Sequence, residues 1–273
     1  MRKGNVSKEQ QIIVHIPHSS ISIPSPFQKE FLIQDDELNQ ELLCMTDWYT
    51  DELFSSDNCI PVIHTCSRLV CDPERFLNPY DEGMYQKGMG MYYTHTAGGK
   101  QMKRHPLACK ESLDSYGTAL SIYEQHHNKL RSCVNDQITN YGSALIIDGH
   151  SFPSVALPYE PPGNFNIERP DICIGADNLF TPDVMVDLAK DYFEGRGLNV
   201  MVNTPFVGTL VPDPYYTQKS MVVKSIMIEV NRKLYMDEKT GEKLDSFSDV
   251  HNIIKGLLQL VYGYGCIYCA GRL

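Results

Sequence analysis

The chain has 273 residues, 42% of them hydrophobic, and a formal net charge of -10. That is enough apolar material for a sizeable core, read here as one domain over residues 1–273. The acidic balance excludes a nucleic-acid or anionic-membrane surface, which would need a concentrated excess of Lys and Arg.

The segment from Met1 to Gln11 is polar and charged, without an apolar stretch, and no run elsewhere approaches the roughly twenty apolar residues of a membrane span. A soluble, cytoplasmic protein acting on a small molecule is expected, and an anionic substrate would need local arginines against the overall field. The nine cysteines are an odd set scattered through apparent core strands (Cys66, Cys71, Cys173), which fits reduced thiols better than a disulfide framework. Cys266 and Cys269 form a lone C-x-x-C with no second pair, too little for a zinc or redox site.

In chain order, Gln11 to Pro17 reads as a strand that ends at Pro17-His18-Ser19-Ser20, so a histidine emerges at a strand end. Asp35 to Phe54 reads as an amphipathic helix with Leu38, Leu42, Met45, Tyr49 and Leu53 on one stripe and Asp47 off it. Pro61 to Asp72 reads as a further strand carrying Arg68, with Arg75 just beyond. Arginines in such places are costly to bury unless they pair or read an anion. Asn78 to Lys110, rich in Gly, Tyr, Met and His, has no clean period and predicts a long irregular excursion over the site.

Glu111 to Asn140 has helical periodicity, with His127 among core positions and Gly142 past its end. A Pro-rich loop from Pro158 to Pro170 leads to a strand at Asp171 to Gly175. A helix follows, with Thr181 as N-cap and Pro182 in its first turn. Strands at Leu198 to Asn203 and Lys224 to Asn231, then a helix from Asp245 to Tyr264, complete the chain. Strands alternating with helices predict a three-layer αβα sandwich around a central, mostly parallel sheet.

The most informative stretch is Ala144 to Pro153, an apolar run that ends in Asp148-Gly149-His150-Ser151. Gly149-His150-Ser151 has the start of a serine-nucleophile elbow, but Pro153 stands where the last glycine is needed. Alternatively His150 is a metal ligand, with Asp148 as ligand or as the carboxylate that orients an imidazole. In the plainest reading, these groups only satisfy the strand end.

Glu229 tips the balance. A carboxylate among Ile226, Ile228 and Val230 is expensive unless paired, for example with Arg232, or working, and desolvation raises its pKa toward the range of a general base. Two strand-end histidines, a carboxylate and a free glutamate are the parts of a mononuclear zinc hydrolase. Arginines would polarise the scissile carbonyl or hold a substrate carboxylate.

These residues carry a resemblance. Pro17-His18-Ser19-Ser20, Thr46-Asp47-Trp48-Tyr49, Ser67-Arg68-Leu69-Val70 with Asp72 and Arg75, His127 with Leu130, Asp148-Gly149-His150-Ser151 with Pro153, and Glu229-Val230-Asn231-Arg232 with Leu234-Tyr235 occur in an order that resembles the N-formylglutamate amidohydrolase family, from about residue 12 to 260. The resemblance implies a zinc-carboxypeptidase-like α/β fold that hydrolyses N-formyl-L-glutamate to formate and L-glutamate, a late step of histidine breakdown. By position it implies one zinc ion on His18 and His150, Glu229 as general base, and Arg68, Arg75 and His127 on the substrate side.

Two departures stand out. Zinc carboxypeptidases usually place a ligand carboxylate three residues after the first histidine, where this chain has Ile21; the resemblance then implies Asp47 as third ligand, with Asp148 the fallback. The family commonly has Asp-x-Asn-Arg where this chain has Asp72-Pro73-Glu74-Arg75, so an acid replaces a neutral amide. The lysine-rich part of the excursion (Lys100, Lys103, Arg104) also differs. A zinc carboxypeptidase acting on short peptides and a non-catalytic binding relative are the competing expectations, and the oligomeric state is left open.

Overall fold

The computed structural model describes residues 10–269, and side chains through residue 263; Cys266 and Cys269 lie outside the described side chains. The strands are β1 (Ile12–Ile16), β2 (Cys59–Ile63), β3 (Ala144–Phe152), β4 (Ile172–Gly175), β5 (Val200–Val202) and β6 (Val223–Asn231). They form one sheet in the order β2-β1-β3-β6-β4-β5. All neighbours run parallel except β4, which pairs antiparallel with β6. Pro61, which cannot donate to a ladder, sits in the edge strand β2.

The helices are α1 (Ser25–Gln28), α2 (Asp35–Met45), α3 (Thr50–Leu53), α4 (Lys110–Tyr141), α5 (Asp183–Glu194) and α6 (Phe247–Cys269). Alternation along the strands sorts them into two outer layers. Ile12, Val14 and Ile16 of β1, Leu145 and Ile147 of β3 and Ile226, Ile228 and Val230 of β6 pack with α3, α5 and α6. Ile13, Ala144, Ile146 and Val223 face the other way, onto Leu130 and Val134 of α4. The result is the expected three-layer sandwich, with every residue of β1 and β3 buried, as a sheet covered on both faces requires. Among the described residues no helix is long and apolar enough to cross a membrane.

Three expectations change. The helix expected over Asp35 to Phe54 breaks into α2 and α3: Thr46 is extended and Tyr49 has φ 62°. Tertiary bonds outweigh the periodicity here, because Asp47 N–H donates to the His18 carbonyl at 3.0 Å and the Tyr49 hydroxyl to the Gly241 carbonyl at 2.6 Å. The strand expected through Asp72 stops at Ile63, and residues 64–72 turn back under the site. Thr181 does not cap α5, whose N-cap is Pro182; its hydroxyl donates to the Ser225 carbonyl at 2.6 Å instead.

The excursion from Asn78 to Lys110 holds one 3-10 turn, Tyr85–Lys87, and isolated bridges. Its middle is anchored rather than loose. Met89, Tyr93 and Met102 are buried against Met45 and Leu69, and the buried Lys103 ammonium donates to the Leu69 carbonyl.

Candidate active site

Register places the centre of the site. His15 of β1 lies beside Asp148 of β3, and His150 of β3 beside Glu229 of β6. All four fall on the α4 face of the sheet, opposite to the apolar residues that alternate with them. Above them opens a cavity of about 1040 Å³ whose lining includes all seven residues singled out from the sequence: His18, Asp47, Arg68, Arg75, His127, His150 and Glu229. Ser151, one residue on from His150, alternates to the other face, where its buried hydroxyl accepts from Arg232 Nε at 3.1 Å. This placement removes it from the site and with it the nucleophile reading.

The two imidazoles stand with ring centroids 5.1 Å apart, and both are buried. His18 Nε2 is 2.9 Å from Asp72 Oδ1; His150 Nε2 is 3.1 Å from Glu74 Oε1 and 3.2 Å from Asp148 Oδ1. On the opposite edge of both rings stands one oxygen, Asp47 Oδ2, 3.0 Å from His150 Nδ1 and 3.5 Å from His18 Nδ1. A neutral imidazole carries a single N–H. With carboxylates at both edges, each ring needs either a second proton or another cation.

His18 Nδ1 is buried with no hydrogen-bond partner. An imidazole that donates Nε2–H to a carboxylate and leaves Nδ1 unpartnered is arranged as a metal ligand with its orienting acceptor in place. Two imidazoles set among carboxylates are a donor set that fits a cation, with Asp47 Oδ2 facing both Nδ1 atoms. The other Asp47 oxygen, Oδ1, takes Arg232 Nη2 at 3.1 Å. The sets whose ligand atoms all lie within 4.8 Å of one another share Glu74: His18, Glu74 and His150, and His15, Glu74 and Asp148.

Glu229 is buried, and its Oε2 has no hydrogen-bond partner. Burial pushes its carboxyl up to about 8, with the Asp47 and Glu74 charges adding to the rise and His150 opposing it. For His150 burial acts downward, but the Glu74 and Asp148 carboxylates overcome it and hold the ring well above its ordinary value.

The rest of the site comes from loops. The break between α2 and α3 swings Asp47 to His18, something a continuous helix could not do. In the turn after β2, Arg68 grips Asp72 Oδ2 through Nε (3.2 Å) and Nη2 (2.8 Å), the Tyr93 hydroxyl donates to the same oxygen at 2.7 Å, and Arg75 Nε lies 3.5 Å away. Burial alone would raise the Asp72 pKa, but Arg68 leads the charges that keep it well below the carboxylate range. His127 lines the cavity while its Nε2 bonds the Pro73 carbonyl at 2.7 Å, so it also fastens the Glu74–Arg75 loop.

The sequence reading passed over three further histidine contacts. His15 joins Asp148 (Nδ1, 2.7 Å) to His126 (Nε2, 2.8 Å), and His126 stacks edge-on against His64 at 4.9 Å. The signal was present, since His15 alternates with apolar residues in a strand and His126 adjoins His127. Glu74 was visible too, but as a departure from the family pattern and not as a neighbour of both site histidines.

Solved structures similar to the chain include an N-formylglutamate amidohydrolase from Ralstonia eutropha, 20% identical with a TM-score of 0.74 and 95% of each chain covered. A gene product of Agrobacterium tumefaciens is 18% identical with a TM-score of 0.60, over 93% of this chain and 92% of that one. At such identities the likeness speaks for the fold. No curated protein sequence matches significantly. The N-formylglutamate amidohydrolase family model matches residues 10–236, which hold every site residue described above, and the chain therefore belongs to that family.

Proposed function

We propose that the chain is a metal-dependent amidohydrolase of N-acyl amino acids, with N-formyl-L-glutamate as the reference substrate of its family. The observation that carries this reading is the pair His18–His150, their Nδ1 edges turned to Asp47, beside a buried Glu229 with an unpartnered oxygen. His18, His150 and Asp47 would hold one zinc ion, which supplies Lewis acidity toward water and the amide carbonyl.

The chain's own groups account for the rest. Asp72 and Asp148 accept from the Nε2 edges and so fix both ring orientations. Glu229, with its pKa raised by burial, takes a proton from the attacking water and returns it to the leaving nitrogen as the C–N bond breaks; formate and the free amino acid result. Arg68, locked by two bonds to Asp72, presents a fixed guanidinium for the developing negative charge on the carbonyl oxygen. Arg75 takes a substrate carboxylate.

Formate release from N-formyl amino acids, measured before and after chelation and zinc re-addition, tests the proposal. Activity lost and restored with one bound ion supports it, and activity indifferent to chelation contradicts it. A second reading, a zinc carboxypeptidase on short peptides, is favoured by the volume of about 1040 Å³, at the top of the range that holds drug-sized ligands. A panel of dipeptides in the same assay separates the two.

A further inference from the structure

The charges lining the cavity do not suit a doubly negative substrate. Its Lys and Arg side chains are Arg68, Arg75, Lys87 and Arg131; three are held by hydrogen bonds, while Arg75 has a buried Nε without a hydrogen-bond partner and can still take one carboxylate. Arg68 spends both Nε and Nη2 on Asp72, and Arg75 Nε lies 3.5 Å from the same oxygen. With Glu82 Oε1 3.9 Å from Arg75 Nη1, two guanidiniums at that wall face two carboxylates, Asp72 and Glu82. Lys87 donates to the Tyr159 carbonyl at 2.5 Å, and Arg131 to the Asp213 carbonyl and Asn128.

Glu74 lies directly before Arg75 in the same wall. One of its oxygens is 3.1 Å from His150 Nε2, and the other stands 3.9 Å from His18 Nε2, too far for a hydrogen bond. Its carboxylate adds a further negative charge to that wall, beside the imidazoles. Asp81 and Asp213 line the cavity as well, held by Asn78 and Thr217 rather than by cationic side chains, and Glu124 adds a further carboxylate. A cleft with this lining concentrates a negative potential, which repels a second negative charge on a ligand and attracts a positive one.

We propose that Glu74 is a specificity-determining residue that turns this site from acidic N-acyl amino acids toward those with a neutral or cationic side chain, one substrate carboxylate being read by Arg75. The proposal rests on the amidohydrolase reading above. Its chemistry needs no new reactant, since the bond broken is the same acyl C–N bond and only the leaving amino acid differs. With Arg75 taken by the first carboxylate, an acidic side chain would bring a second one beside Glu74, where the other guanidinium, Arg68, is held on Asp72. An ammonium or amide in the same place donates to Glu74.

The test compares N-formyl-L-glutamate, N-formyl-L-glutamine and N-formyl-L-lysine on the zinc-loaded wild-type protein and on Glu74→Gln. Formate release gives kcat/KM, and calorimetry gives binding independently of turnover. The expected wild-type result is a preference of at least about 10-fold for the glutamine and lysine compounds over the glutamate compound. Glu74→Gln should shrink the glutamine-to-glutamate ratio about 10-fold, chiefly through KM, and weaken the lysine compound. A wild-type preference for the glutamate compound overturns the proposal. So does a Glu74→Gln protein in which all three fall by one common factor, the mark of a merely structural role. Selective binding without any formate release would uphold the charge preference and sink the hydrolase reading instead.

Discussion

His150 and Glu229 are placed by strand register, neighbours across β3 and β6, whereas Asp47, Arg68, Asp72 and Glu74 are placed by hydrogen bonds and ion pairs among loops. The sheet half is rigid because the same ladder that positions the side chains buries the core. It can therefore carry an unpartnered carboxylate at little risk to the fold. The loop half has no such ladder and holds itself together through one residue: Asp72 is bonded by His18, Arg68 and Tyr93. A change in the first half should cost chemistry, and a change in the second should cost stability and selectivity.

The largest structural effect is expected at Asp72. Asp72→Asn removes the charge that compensates buried Arg68, and breaking such a pair costs about 3–5 kcal/mol, measurable by urea unfolding. A loss below about 1 kcal/mol would show that the loop half is held by something else. Next is the contrast between the two candidate metal seats. Asp47→Ala should weaken zinc binding by at least about 100-fold and Glu74→Gln by less than about 10-fold, by competition with a chelator; the reverse order would move the ion to the Glu74 seat.

The third effect depends on pH. Without a metal, burial pushes the Glu229 carboxyl up to about 8 from an ordinary 4.5. A raised carboxyl pKa means that the folded state holds the proton more tightly than the unfolded chain. Its contribution to stability is then complete below pH 4.5 and is lost as pH rises through 8. Chelated wild type should melt at a lower temperature at pH 9 than at pH 5 relative to Glu229→Gln, which lacks this titration. Tyr93→Phe is the smallest change, about 1.5–3 kcal/mol for one hydrogen bond to the ionised Asp72 carboxylate.

This division also decides what could be read in the sequence. The apolar runs of β1, β3 and β6, with His18, His150 and Glu229 at or near their ends, are local patterns, and the three-layer fold and the grouping of these three side chains around one cavity followed from them. Asp47 was legible as a residue but not as a conformation: the stripe Leu38 to Leu53 continues through a break that only the bonds from Asp47 to His18 and from Tyr49 to Gly241 explain. The turn bearing Arg68 looked like a strand because Val62 to Cys71 is apolar enough, yet Cys66, Leu69 and Val70 are buried under the loop rather than in the sheet. The position of Glu74 beside both imidazoles depends on contacts across 56 and 76 residues of chain, which periodicity does not encode.

In the proposed mechanism Glu229 is the base beside an ion held by His18, His150 and Asp47. Metal content, ligand binding and formate release measured together on Glu229→Gln test it most directly. One bound zinc, intact substrate binding and release slowed by about 10²–10⁴-fold are expected. A Glu229→Gln protein that keeps its zinc and releases formate at the wild-type rate would contradict it.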